Sequence, residues 1–140
     1  MAVKQLSVFA ENRKGSLQKI TEALAEAGID LRSICVADTE DYGILRIITD
    51  NTEKAARVLK ENGFTAAVKS VVGVAIPDVP GGLSKVLGIL FDADINLEYM
   101  YSIINARRDQ ALMVLRVDDN DKAEKVLEEN GIGLLTEEDL

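Results

Sequence analysis

The sequence predicts an α+β protein in which one βαββαβ unit is built twice and fused without a linker. This is the ferredoxin-like arrangement, with antiparallel sheets and helices on one face. Three observations predict it. First, Gly15-Ser16-Leu17-Gln18-Lys19-Ile20 matches Gly81-Gly82-Leu83-Ser84-Lys85-Val86 at an offset of 66, and Ala27-Gly28-Ile29-Asp30-Leu31 matches Ala93-Asp94-Ile95-Asn96-Leu97. The match returns at an offset of 68, where Glu61-Asn62-Gly63-Phe64 faces Glu129-Asn130-Gly131-Ile132, so two extra residues sit near 105–110. A period near 67 exceeds that of the usual solenoid repeats. Second, both copies show the same order of hydrophobic periods. Third, the junction Thr65–Ile76 is β-prone, with no Pro, Ser-Gly tract or charge run to make it flexible. The domains are therefore expected at 1–71 and 72–140.

In each copy a strand comes first, Val3–Ala10 or Gly73–Ile76, followed by a turn ending at Gly15 or Gly81. Leu17, Ile20, Leu24 and Ala27 share one helical face, and so do Leu83, Val86, Leu90 and Ala93. Gly28 supplies a stop to the first of these helices. Strands at Leu31–Ala37 and Leu97–Ile104 come next, then polar turns, then strands at Ile44–Thr49 and Leu112–Val117 rich in aliphatic residues. Asp50 or Asp118 begins a second helix, which Asn62-Gly63 or Asn130-Gly131 closes. The last strand covers about Phe64–Val72 in the first copy and only Ile132–Leu135 in the second. The first of these is expected to run straight into the next strand, with Gly73 marking a bend and the copies rigidly coupled.

The third strands carry a further signal. Leu45, Ile47 and Thr49 match Met113, Leu115 and Val117 on the face toward the helices. The opposite face holds Ile44, Arg46 and Ile48, then Leu112, Val114 and Arg116. A face open to water is ordinarily polar, and this one is mostly apolar. Ile44, Ile48, Leu112 and Val114 are therefore expected to be covered, by the other copy or by a second chain.

Composition narrows the function. Of 140 residues 47% are hydrophobic and 29% charged, an ordinary globular balance. Sixteen bases against 24 acids give a net charge of −8. All of that excess lies in residues 71–140, because residues 1–70 hold ten bases and ten acids. Such a surface repels phosphate backbones and anionic lipid, which argues against nucleic-acid and membrane partners. There is no histidine, so the usual general base, the Ser-His and Cys-His pairs and imidazole zinc sites are all missing. Cys35 is the single cysteine, which forbids an intrachain disulfide or a CxxC metal site and fits a reducing cytosol. Met1–Ser7 lacks the pattern of a signal peptide, and no apolar run approaches the roughly 18 residues needed to span a bilayer. A cytoplasmic, non-catalytic protein without cofactor or metal is expected.

Three functions common to this architecture fail on the residues. RNA recognition needs stacking aromatics on the first and third strands, where only Phe9 is found. A heavy-metal carrier needs a CxxC in the first turn. An acylphosphatase-like hydrolase needs arginine and asparagine around an anion loop; Asn12 and Arg13 exist without the rest of that pattern.

A small-molecule sensor fits better, because of the turn before the first helix. It reads Glu11-Asn12-Arg13-Lys14-Gly15-Ser16-Leu17 in one copy and Pro77-Asp78-Val79-Pro80-Gly81-Gly82-Leu83 in the other. Glycine lets backbone come close to a ligand, and a helix start presents unpaired N–H groups with partial positive charge. That arrangement suits a carboxylate, and Asp78 at the rim suits an ammonium, so one loop complements a free amino acid. The same residues are also ordinary turn formers and helix caps. Gly81-Gly82 leaves the backbone open, so Gly82→Val is expected to block a ligand with little loss of folding.

The pattern Asp78-Val79-Pro80-Gly81-Gly82-Leu83, with Asp94-Ile95-Asn96-Leu97 after the helix, resembles the ACT domain, an amino-acid-sensing βαββαβ module. Ala37-Asp38-Thr39-Glu40-Asp41-Tyr42-Gly43-Ile44-Leu45-Arg46 and Asn96-Leu97-Glu98-Tyr99-Met100-Tyr101 support the resemblance, which covers nearly all of residues 3–135. It implies ligands held where the first turn of one domain meets the second strand of a neighbour. The implied ligand-binding residues are Asn12, Arg13, Gly15, Ser16 and Leu17 on the first turn and Asp78, Val79, Pro80, Gly81, Gly82 and Leu83 on the second, with Ala37, Asp38, Tyr101 and Ser102 on the second-strand edges. Asn12 and Lys14 depart from the acid and proline of the pattern, so the second turn is expected to be the better site.

Other residues have plainer roles. Cys35 reads as a small packing residue, Asp118-Asp119-Asn120-Asp121 as a helix cap rather than a calcium loop, Arg107-Arg108 as a solvated turn and Glu137-Glu138-Asp139 as a frayed end. Of Tyr99 and Tyr101, one is expected in the core and the other at a pocket. Two functional readings remain. One is a regulatory protein that binds a free amino acid, with a homodimer and an amino-acid metabolic enzyme as partners. The other is a protein-contact subunit resembling the small subunit of acetolactate synthase, without a ligand of its own.

Overall fold

Strand β1 (Val3–Glu11) leads through the Asn12–Gly15 turn into helix α1 (Ser16–Glu26). Then follow β2 (Leu31–Asp38), β3 (Tyr42–Thr49), α2 (Thr52–Glu61) and β4 (Ala66–Pro77). The order repeats as α3 (Gly82–Asp92), β5 (Leu97–Ser102), β6 (Gln110–Val117), α4 (Asn120–Glu129) and the short β7 (Gly133–Leu134). These elements come from a computed structural model that describes residues 3–38, 41–104 and 109–140. Thr39-Glu40, Arg107-Arg108 and the side chain of Asp38 lie outside the described residues. The chain divides into two units, Lys4–Lys69 and Ser70–Leu140 with Val3.

In the Lys4–Lys69 unit the strand order is β2-β3-β1, antiparallel throughout, with Phe9 opposite Ile44 and Glu11 opposite Tyr42. Its core gathers alternate residues of β1 and β3 (Leu6, Val8, Leu45, Ile47) under Ile20 and Leu24 of α1 and Leu59 of α2. Leu17, placed by periodicity on the core face, is instead 41% exposed, because it lies in the first turn beyond the rim of the sheet. In the Ser70–Leu140 unit the order is β4-β6-β5, with β7 paired to β4. Val72, Val74, Leu115 and Val117 pack there beneath Val86, Leu90 and Leu127. Ala75 stands opposite Leu112 and Pro77 opposite Gln110, the same register as in the first unit. On the other sheet face Ile48, Leu112 and Val114 are buried, and Ile44 is half-buried. Cys35 is half-buried in mid-strand.

Several local expectations need correction. The second helices start two residues later than Asp50 and Asp118, with their caps one residue later. Asn51 and Asp119 are the caps, accepting from the Lys54 and Lys122 amides at 3.1 and 3.0 Å. Asp50 and Asp118 turn the other way and accept from the Asp30 and Asn96 amides at 3.0 and 3.2 Å, fastening the entrances of β2 and β5. The junction runs straight through as expected, since β4 is continuous over twelve residues. A Cβ at Gly73 would stand 2.9 Å from Leu135 Cβ and 3.0 Å from Val3, so glycine is there for close packing. Glu137–Asp139 is not frayed: it forms a 3-10 turn in which the Thr136 amide donates to Asp139 Oδ2 at 2.7 Å.

Candidate functional site

The two turns before α1 and α3 are the same structure, bond for bond. The Asn12 amide donates to Asp41 O at 3.3 Å, and the Asp78 amide to Asp109 O at 3.0 Å. Arg13 N reaches Glu11 O at 2.9 Å, as Val79 N reaches Pro77 O at 2.9 Å. Ser16 N then donates to Arg13 O at 3.2 Å and Gly82 N to Val79 O at 3.0 Å. Gly15 and Gly81 close the turns in the left-handed region, at φ 89° and 85°, where a side chain is strained. Both stand at a helix N-cap and carry no side-chain oxygen, so α1 and α3 begin without the cap that Asn51 and Asp119 give to α2 and α4. Asp78 is therefore an exposed rim residue rather than a cap.

Each turn overhangs a cleft inside its own unit. The first, about 370 Å³, lies between the end of β1, the turn, the first two turns of α1 and the Gly63-Phe64-Thr65 bend after α2. The second, about 550 Å³, is walled by the matching segments. Ala75, Pro77 and Val79 replace Phe9, Glu11 and Arg13, while Pro80 and Gly82 replace Lys14 and Ser16. Lys19 and Lys85 are the same residue at the same place. Gln110 replaces Tyr42, and Gly131-Ile132-Gly133 replaces Gly63-Phe64-Thr65.

The lining differs chemically. The first cleft is edged by Arg13, Lys14 and Lys19, with one carboxylate, Glu11, held by Arg13 at 2.9 Å. Phe9 and Tyr42 form an aromatic pair on its wall, ring centroids 6.1 Å apart and tilted by 48°. The second cleft has Lys85 as its basic residue and is otherwise lined by aliphatic, glycine, proline and amide groups.

Of the residues expected at a ligand site, Arg13 and Ser16 line the first cleft, and Val79, Pro80, Gly81 and Gly82 line the second. Asn12, Gly15 and Leu17 are exposed on the first turn, outside the cleft lining. Asp78 and the half-buried Leu83 stand in the same way beside the second. Ala37 and Asp38 end β2 opposite Ile44 and Gly43, on the sheet edge away from β1, and Ala37 joins neither cleft. Tyr101 and Ser102 end β5 opposite Val114 and Met113. Tyr101 is the buried tyrosine and Tyr99 is half-buried, yet neither lines a cleft. Lys19, Tyr42 and the Gly63–Thr65 bend were missed, although the repeat had already paired Lys19 with Lys85 and Gly63-Phe64 with Gly131-Ile132.

Gly82 also has a structural duty. A Cβ there would collide with the Pro77 carbonyl oxygen, a backbone atom that cannot step aside. The expectation that Gly82→Val spares folding is therefore wrong.

Two ferredoxin-like units in one chain, each with a glycine turn at an uncapped helix start, define the class: a tandem ferredoxin-like module. The chain belongs to the family of ACT domain pairs, whose model matches residues 1–140. A protein of Bacteroides thetaiotaomicron has a solved structure that is 43% identical, with a TM-score of 0.93 over 99% of this chain and 95% of that one. The regulatory subunit of aspartate kinase from Thermus thermophilus is 17% identical, with a TM-score of 0.65 over 90% and 91% of the two chains. Its counterpart from Thermus flavus is also 17% identical, with a TM-score of 0.63 over 90% of each chain. The Thermus likenesses are of fold. Among curated proteins no match was found.

Proposed function

We propose that the chain is a non-catalytic, cytoplasmic regulatory protein that binds a free amino acid and signals its abundance, as a homodimer or to an enzyme of amino-acid metabolism. The observation that carries this reading is the Asp78–Leu83 turn. Its helix start has no side-chain cap, so the Leu83 and Ser84 amides of α3 remain available to a carboxylate, and Asp78 stands exposed at the rim to meet an ammonium. The membership in the ACT family supports it.

The test is a thermal-shift screen of the twenty amino acids, followed by calorimetry on any ligand that raises the melting temperature. Asp78→Ala is expected to weaken that ligand by about 1–3 kcal/mol, the worth of a charged hydrogen bond. No stabilising amino acid, or an Asp78→Ala protein that binds as before, would sink the reading. A second reading, protein contact without a ligand, is favoured by Phe91 on α3, which is 82% exposed one turn from the open Gly88. Co-purification with a large enzyme subunit, in a chain that no amino acid stabilises, would select it.

A further inference from the structure

We propose that the cleft of the Lys4–Lys69 unit binds a small aromatic carboxylate that lacks an α-ammonium group. The proposal stands apart from the Asp78 turn and rests on what lines the first cleft and is absent from its twin.

Charge comes first. Arg13, Lys14 and Lys19 edge a cavity of about 370 Å³, inside the roughly 300–1,000 Å³ range of small-ligand sites. Glu11, the one carboxylate there, already holds Arg13 at 2.9 Å. Among the described residues neither lysine has a carboxylate partner. The cleft therefore attracts an anion, and an ammonium brought with it would face two lysines while Glu11 is already engaged by Arg13. The turn itself offers Asn12 where the other turn has Asp78, so that acid has no equivalent at this position.

Shape and surface come second. Phe9 and Tyr42 are 52% and 46% exposed, a costly way to keep two rings unless something covers them. They wall the cavity together with Phe64 and give a flat ligand ring faces and edges to pack on. At the matching positions the second unit has Ala75, Gln110 and Ile132, so no ring is offered there. Cations and rings are thus concentrated in one of two otherwise matching clefts.

The test uses 3-phenylpropanoate and phenylalanine, which share ring, chain and carboxylate and differ by the ammonium. Each is titrated into the isotope-labelled full chain and followed by amide resonances. The expected result is that 3-phenylpropanoate moves Gly15, Gly63 and Thr65, leaves Gly81 and Gly131 in place, and binds about tenfold more tightly than phenylalanine. A Lys14→Gln, Lys19→Gln double variant, altered only at exposed side chains, is expected to melt normally and to lose about tenfold or more in affinity. Four results would overturn the proposal: no shift at Gly15 and Gly63, equal shifts at Gly131, phenylalanine binding there as tightly, or full affinity in the lysine variant. The amides that report belong to the other unit from Asp78, so either proposal can fail while the other stands.

Discussion

The turns at Asn12–Leu17 and Asp78–Leu83 share every backbone hydrogen bond but almost no side chain. Arg13-Lys14 in one is Val79-Pro80 in the other, and Ser16 is Gly82. The proline fixes its own φ and restricts Val79 before it, and the second turn closes slightly tighter, 3.0 Å against 3.2 Å at its last hydrogen bond. There a Cβ at position 82 meets the Pro77 carbonyl, whereas Ser16 carries one at the matching place. The comparison teaches that the frame is set by backbone bonding and two left-handed glycines, and the chemistry by side chains that leave the frame untouched.

Substitutions can break or sharpen that comparison. The largest effect is expected on the sheet face away from the helices, where Ile48 is buried and its counterpart Arg116 is half-buried and paired with Glu98 at 3.1 Å. Ile48→Asp is expected to cost about 2–4 kcal/mol in urea unfolding, as for an unpaired buried charge. An unchanged midpoint would show that the two faces are equally tolerant. Next comes an exchange between the turns. Gly82→Ser is expected to lose about 2 kcal/mol by overpacking against Pro77, while Ser16→Gly loses under about 1 kcal/mol. Equal melting of the two variants would erase the difference between the turns. Smallest is the contrast between helix starts. Asn51→Ala and Asp119→Ala are each expected to lose about 1 kcal/mol of cap, measured by thermal unfolding. A loss near zero at both would make α2 and α4 no better capped than α1 and α3.

Much of this was legible in the sequence because the signals are local. Order of elements, core stripes and the Asn62-Gly63 and Asn130-Gly131 stops follow from periodicity and short-range caps. The cap slipped by one residue because Asp50-Asn51 and Asp118-Asp119 each offer two adjacent acceptors, and only the path of the preceding strand decides which faces the helix. The close packing at Gly73 was not legible because its partners, Leu135 and Val3, are distant in sequence. The Thr136–Asp139 cap has the spacing of a capping box and could have been read. The clefts could not. Phe9, Tyr42 and Phe64 meet only after β1, β3 and the bend after α2 converge.

The contact between position 82 and the Pro77 carbonyl also bears on how such a chain can change over generations. Where a Cβ is excluded, every amino-acid change carries a folding cost before any new ligand is tried. At position 16 the serine already shows that a side chain fits, so variants there survive to be sampled. A duplicated module with one rigid turn and one permissive turn carries its own room for experiment, and that room lies in the first unit.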